Sequence, residues 1–491
     1  MDVVQIFLAC LASFGRMLIA YIISFIVAIA VGILMARRRY AEALLLPVLD
    51  ILQSIPILGF FPIAIAIFLT LLPKNIGLEL AAIFLISTSL LWNMIFGVYS
   101  SVKSLEPEVL TMASIYKMRT FSRLAYIYIP VARAAIAANS IISWAGGWFF
   151  LTSAEVIGWG SEEHRLFGIG SLIMDFYSSG SSAEFYTAIA MLFAFIMVSY
   201  ILIFNPAVNT ATQQRMLPAF GKVFHYIYKL ISALWELVIS IGIKIESKRA
   251  FLYTIILIIP VAAPAIFSMS TATNLSMGYQ FLYEFAENFL LSLGRVALVI
   301  LTSLTLAIGI AYLALVKKWG SPIALIGEVL ASIPAIIWWP LLSPLIHSLP
   351  WLVSFIVFLQ GSLWYSFFNV MLFGVPKIRA DVLDLAEVYR VRGTNYFRYI
   401  LIPSLIPSIA SGTLSAWGGA WNATIVAEYF ESSGKVVDLG GVGAMLCKYT
   451  YRGSYDYVLY TVLLWALMIA VFNKALWSRV FKLVERAFVV E

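Results

Sequence analysis

Runs of about twenty apolar residues recur along the chain, separated by short polar stretches. A helix needs about 20 such residues to cross the roughly 30 Å hydrocarbon core of a bilayer. By that ruler eleven spans fall near residues 13–36, 51–72, 78–100, 128–152, 184–204, 251–269, 292–316, 327–347, 351–373, 401–426 and 456–476. The pattern predicts an all-α polytopic membrane protein. Composition agrees, since 62% of the 491 residues are AVILMFWYC and 12% are DEKR, against roughly 45–50% and about 25% in soluble domains. So few charges cannot cover a soluble surface of this size.

The polar and small residues that interrupt the apolar pattern repeat themselves. Ser13-Phe14-Gly15-Arg16 recurs as Ser292-Leu293-Gly294-Arg295, Gln53-Ser54-Ile55-Pro56 as Ala331-Ser332-Ile333-Pro334, and Pro62 as Pro340. Further on, at a constant offset of 273, Pro130, Trp144, Gly147, Trp148, Glu155, Gly168 and Gly170 answer Pro403, Trp417, Ala420, Trp421, Glu428, Gly441 and Gly443. Shared hydrophobicity does not keep prolines, glycines and tryptophans in register, so the chain reads as two tandem five-span units. An odd-numbered unit starts and ends on opposite sides, and a second copy joined directly would be inverted. The extra span at 251–269 restores the parallel orientation. The expected organisation is a first unit over 1–214, a linker over 215–250 and a second unit over 251–491, with a pathway between the halves.

Charge sets the sidedness. Arg37, Arg38 and Arg39 close the first span, and Lys and Arg collect on the cytoplasmic side of membrane proteins. The inferred inner loops carry four basic and two acidic residues over 101–126, six and two over 215–249, and five and three over 374–398. The inferred outer segments 153–183 and 270–287 are net negative. The expectation is a multi-pass protein of the cell membrane with its N-terminus outside and its C-terminus in the cytoplasm. The net charge of +7 is therefore read as membrane sidedness and not as a nucleic-acid footprint. Residues 216–247 place Phe224, Ile227, Ile231, Leu234 and Val238 at helical spacing among Lys222, Lys229 and Lys244, the pattern of an amphipathic helix on the cytoplasmic leaflet. The first residues lack a basic region and a small-residue cleavage site, so no removable signal peptide is expected. Cys10 and Cys447 form no disulfide framework, and His164, His225 and His347 have no metal-ligand spacing.

Two inner loops hold the most informative residues. Val109, Leu110, Ala113 and Tyr116 fall on one helical face, as do Val382, Leu383, Ala386 and Tyr389. Each segment is too short and too charged to span, so each is expected to be a short helix with an apolar face in the cytoplasm, suited to a partner with two grooves. Here the sequence resembles the permease subunit of binding-protein-dependent ABC importers, whose cytoplasmic loop has the pattern EAA-x3-G-x9-I-x-L-P. The first loop, over 106–130, has Thr111-Met112-Ala113, Lys117, Ile127 and Ile129-Pro130; the second, over 379–403, has Asp384-Leu385-Ala386, Arg390, Ile400 and Ile402-Pro403. Both lose the leading glutamate and alanine and put a basic residue at the glycine position, where Gly393 stands three residues late as a substitute for the turn. The run Ile402-Pro403-Ser404-Leu405-Ile406-Pro407, with Gly412, Trp421 and Ile425-Val426-Ala427-Glu428, is similar to the nitrate, sulfonate and taurine branch of these permeases. Family members place an additional span before the five-span core; the second half has it at 251–269 and the first half has no counterpart.

That resemblance implies two fused type I importer permease units forming one transmembrane pore. It implies docking of two copies of a separate ATPase on the loop helices through Val109, Leu110, Ala113, Tyr116, Arg119, Val382, Leu383, Ala386, Tyr389, Arg392 and Gly393, with solute delivered by an extracytoplasmic binding protein. No cofactor is expected on this chain, since it lacks GxxxxGK[ST]; ATP and Mg would be held by the ATPase. Arg119 and Arg392 are read either as partners for acidic ATPase residues or as contacts to inner-leaflet phosphates. Glu155 and Glu428, at the outer ends of matching spans, are either gate or partner contacts or caps of the following segment. Asn139, Ser143, Trp144, Trp148, Ser415, Trp417, Trp421 and Asn422 are candidate pathway residues, with packing or hydrogen bonding between helices as the alternative. No basic residue sits mid-span where an oxyanion would need one, so the solute is unassigned. The competing readings are a secondary transporter with parallel repeats, which would need a buried ionisable residue, and a membrane-embedded enzyme, for which no catalytic motif is present.

Overall fold

A computed structural model describes residues 3–54, 64–65, 67–159, 162–204, 279–317, 320–333, 337–346, 348–432, 435–477 and 479–480. The expected linker over 215–250 and the span at 251–269 lie outside the described residues. Among those residues, eight helical segments are long and apolar enough to cross a membrane: Val3–Arg37, Lys74–Lys103, Leu124–Leu151, Ser182–Ile203, Tyr279–Val316, Pro350–Gly374, Thr394–Glu428 and Asp456–Trp477.

In the first half, α1 (Val3–Arg37), α2 (Arg39–Ser54), α3 (Lys74–Lys103), α4 (Pro107–Ile115) and α5 (Ile129–Glu155) lead to a hairpin of β1 (Val156–Trp159) and β2 (Glu162–Arg165). Helices α6 (Ile169–Ser178) and α7 (Ser182–Ser199) follow. The second half has α8 (Tyr279–Lys317), α9 (Gly320–Ala331), α10 (Pro350–Phe368), α11 (Ala380–Val388) and α12 (Ile402–Glu428). It continues with β3 (Tyr429–Ser432), β4 (Lys435–Asp438), α13 (Val442–Tyr451) and α14 (Tyr455–Phe472). From α4 onward each element of the first half matches one in the second at the offset of 273. Even the wide π turns agree, Leu124–Tyr128 with Phe397–Leu401 and Tyr200–Phe204 with Asn473–Trp477. The first of these pairs has a local cause. Pro130 and Pro403 lack an N–H and their rings crowd the carbonyl four residues back, and a wider turn there admits the ring without ending the helix.

Two sequence expectations need correction. The span expected at 327–347 is no continuous helix: α9 ends at Ala331, and the chain resumes in one-turn helices at Trp338–Leu341 and Ser343–Ile346. Pro340 and Pro344 lie in those turns, and each removes a backbone donor that a spanning helix would use. Of the span expected at 51–72, residues 51–54 close α2, and residues 55–63 lie outside those described. The all-α expectation also missed the two antiparallel hairpins, paired Val156 to Arg165 and Tyr429 to Asp438. Four-residue strands leave too short an alternating pattern to read.

Within each half the first helix packs against the third, and the third against the long fifth, around a core that includes Met17, Leu90, Trp148, Val357, Trp421 and Trp465. Close approach is set by facing pairs exchanged between the copies. In the first half a side chain at Gly97 would meet the amide of Asn139, and in the second a side chain at Gly412 would meet Asn369. The halves also exchange a helix: α2 lies against α12 and α14, while α9 lies against α5 and α7. At the end of the molecule that carries Arg37–Arg39, Lys103 donates to the Glu42 carboxylate at 2.6 Å and the Tyr99 hydroxyl does so at 2.7 Å, holding Glu42 below the usual carboxylate range.

Both loop helices end in the same turn. Met118 N–H bonds the Ala113 carbonyl at 2.9 Å and Val391 N–H the Ala386 carbonyl at 2.9 Å, and Lys117 and Arg390 take left-handed φ values of 49° and 52°. This is the helix ending that glycine serves best. The turn is thus made by the basic residues themselves, and Gly393, at φ 60°, makes a separate one before the helical turn Thr394–Tyr396. Replacing Lys117 and Arg390 together by glycine is expected to stabilise the chain, because a left-handed non-glycine residue costs about 1 kcal/mol. Melting in detergent checks this, and a fall in the transition temperature contradicts it.

Candidate functional site

Three places in this frame carry the candidate residues. The first is the pair of loop helices. Ala113 and Ala386 are buried, and Val109, Leu110 and Leu383 pack half-buried on the main core, with Val382 half-buried beside them. The face expected to meet a partner is therefore largely turned inward and fastens the helix to the bundle. The exposed apolar residues are instead Met112, Ile115 and Tyr116 on α4 and Leu385, Val388 and Tyr389 on α11, matched pairs at the same offset. Tyr116 and Tyr389 are the members of the expected sets that remain outside, 75% exposed in both copies. Arg119 and Arg392 are also exposed. The end of α4 is tied to the segment leading into α5 by Arg123, whose Nε donates to the Met118 carbonyl at 3.1 Å and whose Nη2 donates to the Ser114 hydroxyl at 3.2 Å.

The second place is a narrow cleft between the halves. Ile142, Gly146 and Phe149 of α5 face Tyr365 of α10 and Gly419 and Asn422 of α12 across it. Gly146 and Gly419, and Phe149 and Asn422, are matched pairs, so both copies of one helix line this space, with Tyr365 against both glycines. The space holds little more than about one water-sized molecule. Its polar lining is bonded within the protein: Asn422 donates to the Gln53 carbonyl at 3.1 Å, and Gln360 donates to the Leu330 carbonyl and accepts from Trp364. Of the expected pathway residues, Asn422 alone lines this cleft. Trp144 and Trp148, and Trp417 and Trp421, pair edge to face inside their own halves, and Trp421 stacks on Phe289. Asn139 donates to the Ala135 carbonyl and Ser143 to the Leu90 carbonyl, while Ser415 is half-buried.

The third place lies at the far end of α5 and α12 from the loop helices. The Glu155 carboxylate is fully buried and accepts from Ser13 Oγ at 2.5 Å, Arg16 Nη1 at 2.8 Å and the Gly170 N–H at 2.7 Å. Glu428 repeats this with Ser292 at 2.7 Å, Arg295 at 2.9 Å and Gly443 at 2.9 Å. Each serine also accepts the first N–H of the following helix, from Ile169 and from Val442. A carboxylate and a hydroxyl thus satisfy orphan donors at a helix N-terminus, where negative charge is favoured. Gly168 and Gly441 are required here, since a side-chain carbon on either would sit within 2.4 Å of the carboxylate carbon or oxygens. The matched motifs were visible in the sequence, but not that they meet.

The sequence reading missed Glu328, on α9 where it packs against the first half. Its side chain is fully buried, and neither carboxylate oxygen has a hydrogen-bond partner among the described residues. An available signal was its register with Asp50, each acid standing six residues before Pro56 or Pro334.

These features define a helical membrane protein built from two parallel copies of one unit, with paired surface helices at one end and paired buried carboxylate ties at the other. The chain belongs to the family of binding-protein-dependent transport system inner membrane components, whose model matches it twice, over residues 28–216 and 303–488. It is 28% identical over 178 residues to the nitrate import permease protein NrtB of Leptolyngbya laminosa, covering 36% of this chain and 59% of that protein. It is 26% identical over 184 residues to the bicarbonate transport system permease protein CmpB of Synechococcus elongatus, covering 38% and 62%. The chain thus spans about three fifths of the length of these relatives.

The ties differ in one respect that stability measurements can read. Arg16 also binds Glu79, through Nε at 2.6 Å and Nη2 at 2.7 Å, and its side chain is 7% exposed against 28% for Arg295. Removing one partner of a buried ion pair costs about 3–5 kcal/mol. Arg16→Met is expected to reach that range and Arg295→Met to fall below it, as compared by denaturation in detergent; equal losses would contradict the difference.

Proposed function

We propose that this chain is the complete pore of an importer, with both permease halves on one polypeptide. It moves a small solute across the cell membrane by alternating access. One observation carries the reading: two short helices at matching positions each bury one face on the bundle and expose a second apolar face of the same make-up, Met112, Ile115 and Tyr116 or Leu385, Val388 and Tyr389. Exposed apolar surface set among charges marks a protein contact, and two equivalent copies call for two equivalent partners. Those partners are two copies of a separate ATPase that hold ATP and Mg. The N-terminus lies outside and the C-terminus inside, so the carboxylate ties lie on the face that receives solute from an extracytoplasmic binding protein. The relatives carry nitrate or bicarbonate in their names, and the cleft has no charged side chain among its lining residues. The solute is therefore assigned only as small.

Substitution of Ile115 and Val388 together by Asp is expected to strip the ATPase from the purified chain without unfolding it, because both side chains are more than 70% exposed. Retention of the ATPase by that double variant would sink the docking assignment. Ala113→Asp and Ala386→Asp would instead bury a charge and unseat the loop helices.

A second reading, transport driven by an ion gradient, is favoured by Glu328, a buried acid of the kind such a mechanism needs. On the ATPase-driven reading, Glu328→Gln leaves uptake dependent on ATP and at a rate within about threefold of the unaltered chain. Loss of uptake together with loss of its response to an imposed proton or sodium gradient would favour the second reading.

A further inference from the structure

The two carboxylate ties are built from the same residues, and the first shows what completes them. In the first half the Nε edge of Arg16 is closed by the carboxylate of Glu79, itself 43% exposed at the surface of the tie. Gly97 and Asn369, which face Asn139 and Gly412, stand 272 residues apart, and that register carries Glu79 to Trp351, in the first turn of α10. In the second half Arg295 donates through Nη1 to Glu428 and the Gly440 carbonyl, and through Nη2 to the Leu439 carbonyl at 2.6 Å. Its Nε has no partner among the described residues, and its side chain is four times as exposed as that of Arg16.

We propose that the Nε edge of Arg295 is an open socket for a carboxylate side chain of the extracytoplasmic solute-binding protein, and that Glu79 closes the equivalent socket in the first half. The inference rests on the importer reading, which puts this face toward the binding protein. The occupant is a protein side chain and not the solute for two reasons. The ligand that fills the equivalent place in the first half is a side-chain carboxylate, and no residue of either tie lines the cleft between the halves. An arginine edge and a carboxylate match in both geometry and charge. The consequence is directional. A permease made of two identical chains offers a two-lobed binding protein two equivalent orientations, whereas this fused chain offers one, with the acid-bearing lobe on the second half. Duplication within one polypeptide is what allows the two sockets to differ.

The test uses the full chain, assembled with its ATPase in nanodiscs and titrated with the purified solute-binding protein encoded with it. Trp351→Glu supplies the second socket with its own carboxylate, at a helix N-terminal turn that favours negative charge. It is expected to weaken binding at least tenfold, while Trp351→Gln stays within twofold of the unaltered chain. A photo-crosslinker on one lobe of the binding protein is expected to reach a single half of the unaltered permease, and both halves once Glu79→Leu opens the first socket. Undiminished affinity of Trp351→Glu, or crosslinks from one lobe divided equally between the halves of the unaltered chain, overturns the socket. Failure of the binding protein to bind the unaltered permease at all overturns the importer reading, and this inference with it.

Discussion

The architecture of each half depends on one buried carboxylate. Glu155 and Glu428 each draw together a serine and an arginine from the first helix of their half and a backbone N–H from a short helix that follows. Between helices surrounded by lipid tails, burial of apolar surface supplies little net attraction, so register is set by close packing and by polar contacts. A charge fixed at the end of a long helix, with its lone pairs met from two other segments, permits one arrangement of the three. Gly168 and Gly441 belong to the same constraint, because the carboxylate occupies the space a side chain would need. Once the ends of α5 and α12 are pinned, small residues along them settle the rest. Gly97 under Asn139 and Gly412 under Asn369 let α3 and α10 come close on the flank.

Duplication turns many of these contacts into controlled comparisons. The facing asparagine and glycine trade places between the copies, which shows that the separation of the helices is the constrained quantity and not the identity of the residue on either one. The carboxylate ties keep serine, arginine and glutamate in both halves but not the second acid on the arginine. That departure from symmetry cannot be assigned to the demands of the fold, since the second half folds without the acid. A difference that the fold does not require is where a difference in use should be sought.

The sequence made the large organisation legible because bilayers impose a coarse rule. Apolar length reported spans such as 78–100 and 184–204, and prolines, glycines and tryptophans in register reported the repeat. It failed where the deciding quantity was three-dimensional. The loop helices are apolar on two faces, and periodicity alone does not say which of them packs on the bundle: Val109 and Leu110 turn inward, and Met112 and Ile115 outward. The stretch 327–347 is apolar enough to span, yet Pro340 and Pro344 break it into turns. Ser13, Arg16 and Glu155 stand out separately as repeated residues, but the sequence separations of 142 and 139 residues from Ser13 and Arg16 to Glu155 hide their contact. Glu328 drew no notice because one acid in a helix is ordinary until its burial is known.

On the importer reading, the same geometry explains how a push at one end is felt at the other. Each loop helix is fastened to the bundle by its buried alanine, and in the first half Arg123 bonds its end to the chain that enters α5 through the π turn. Helix α5 then runs 27 residues, about 40 Å, to the carboxylate tie. A helix held at both ends moves with its neighbours and does not bend on its own. Force on the loop helices therefore acts on whole halves, and in its path lies the cleft where Tyr365 stands between Gly146 and Gly419. The two glycines leave room for that ring, and neither has a side chain that must be withdrawn for the halves to part. What has to change during transport is then the spacing of two rigid units across one thin seam, while the buried ties stay intact throughout.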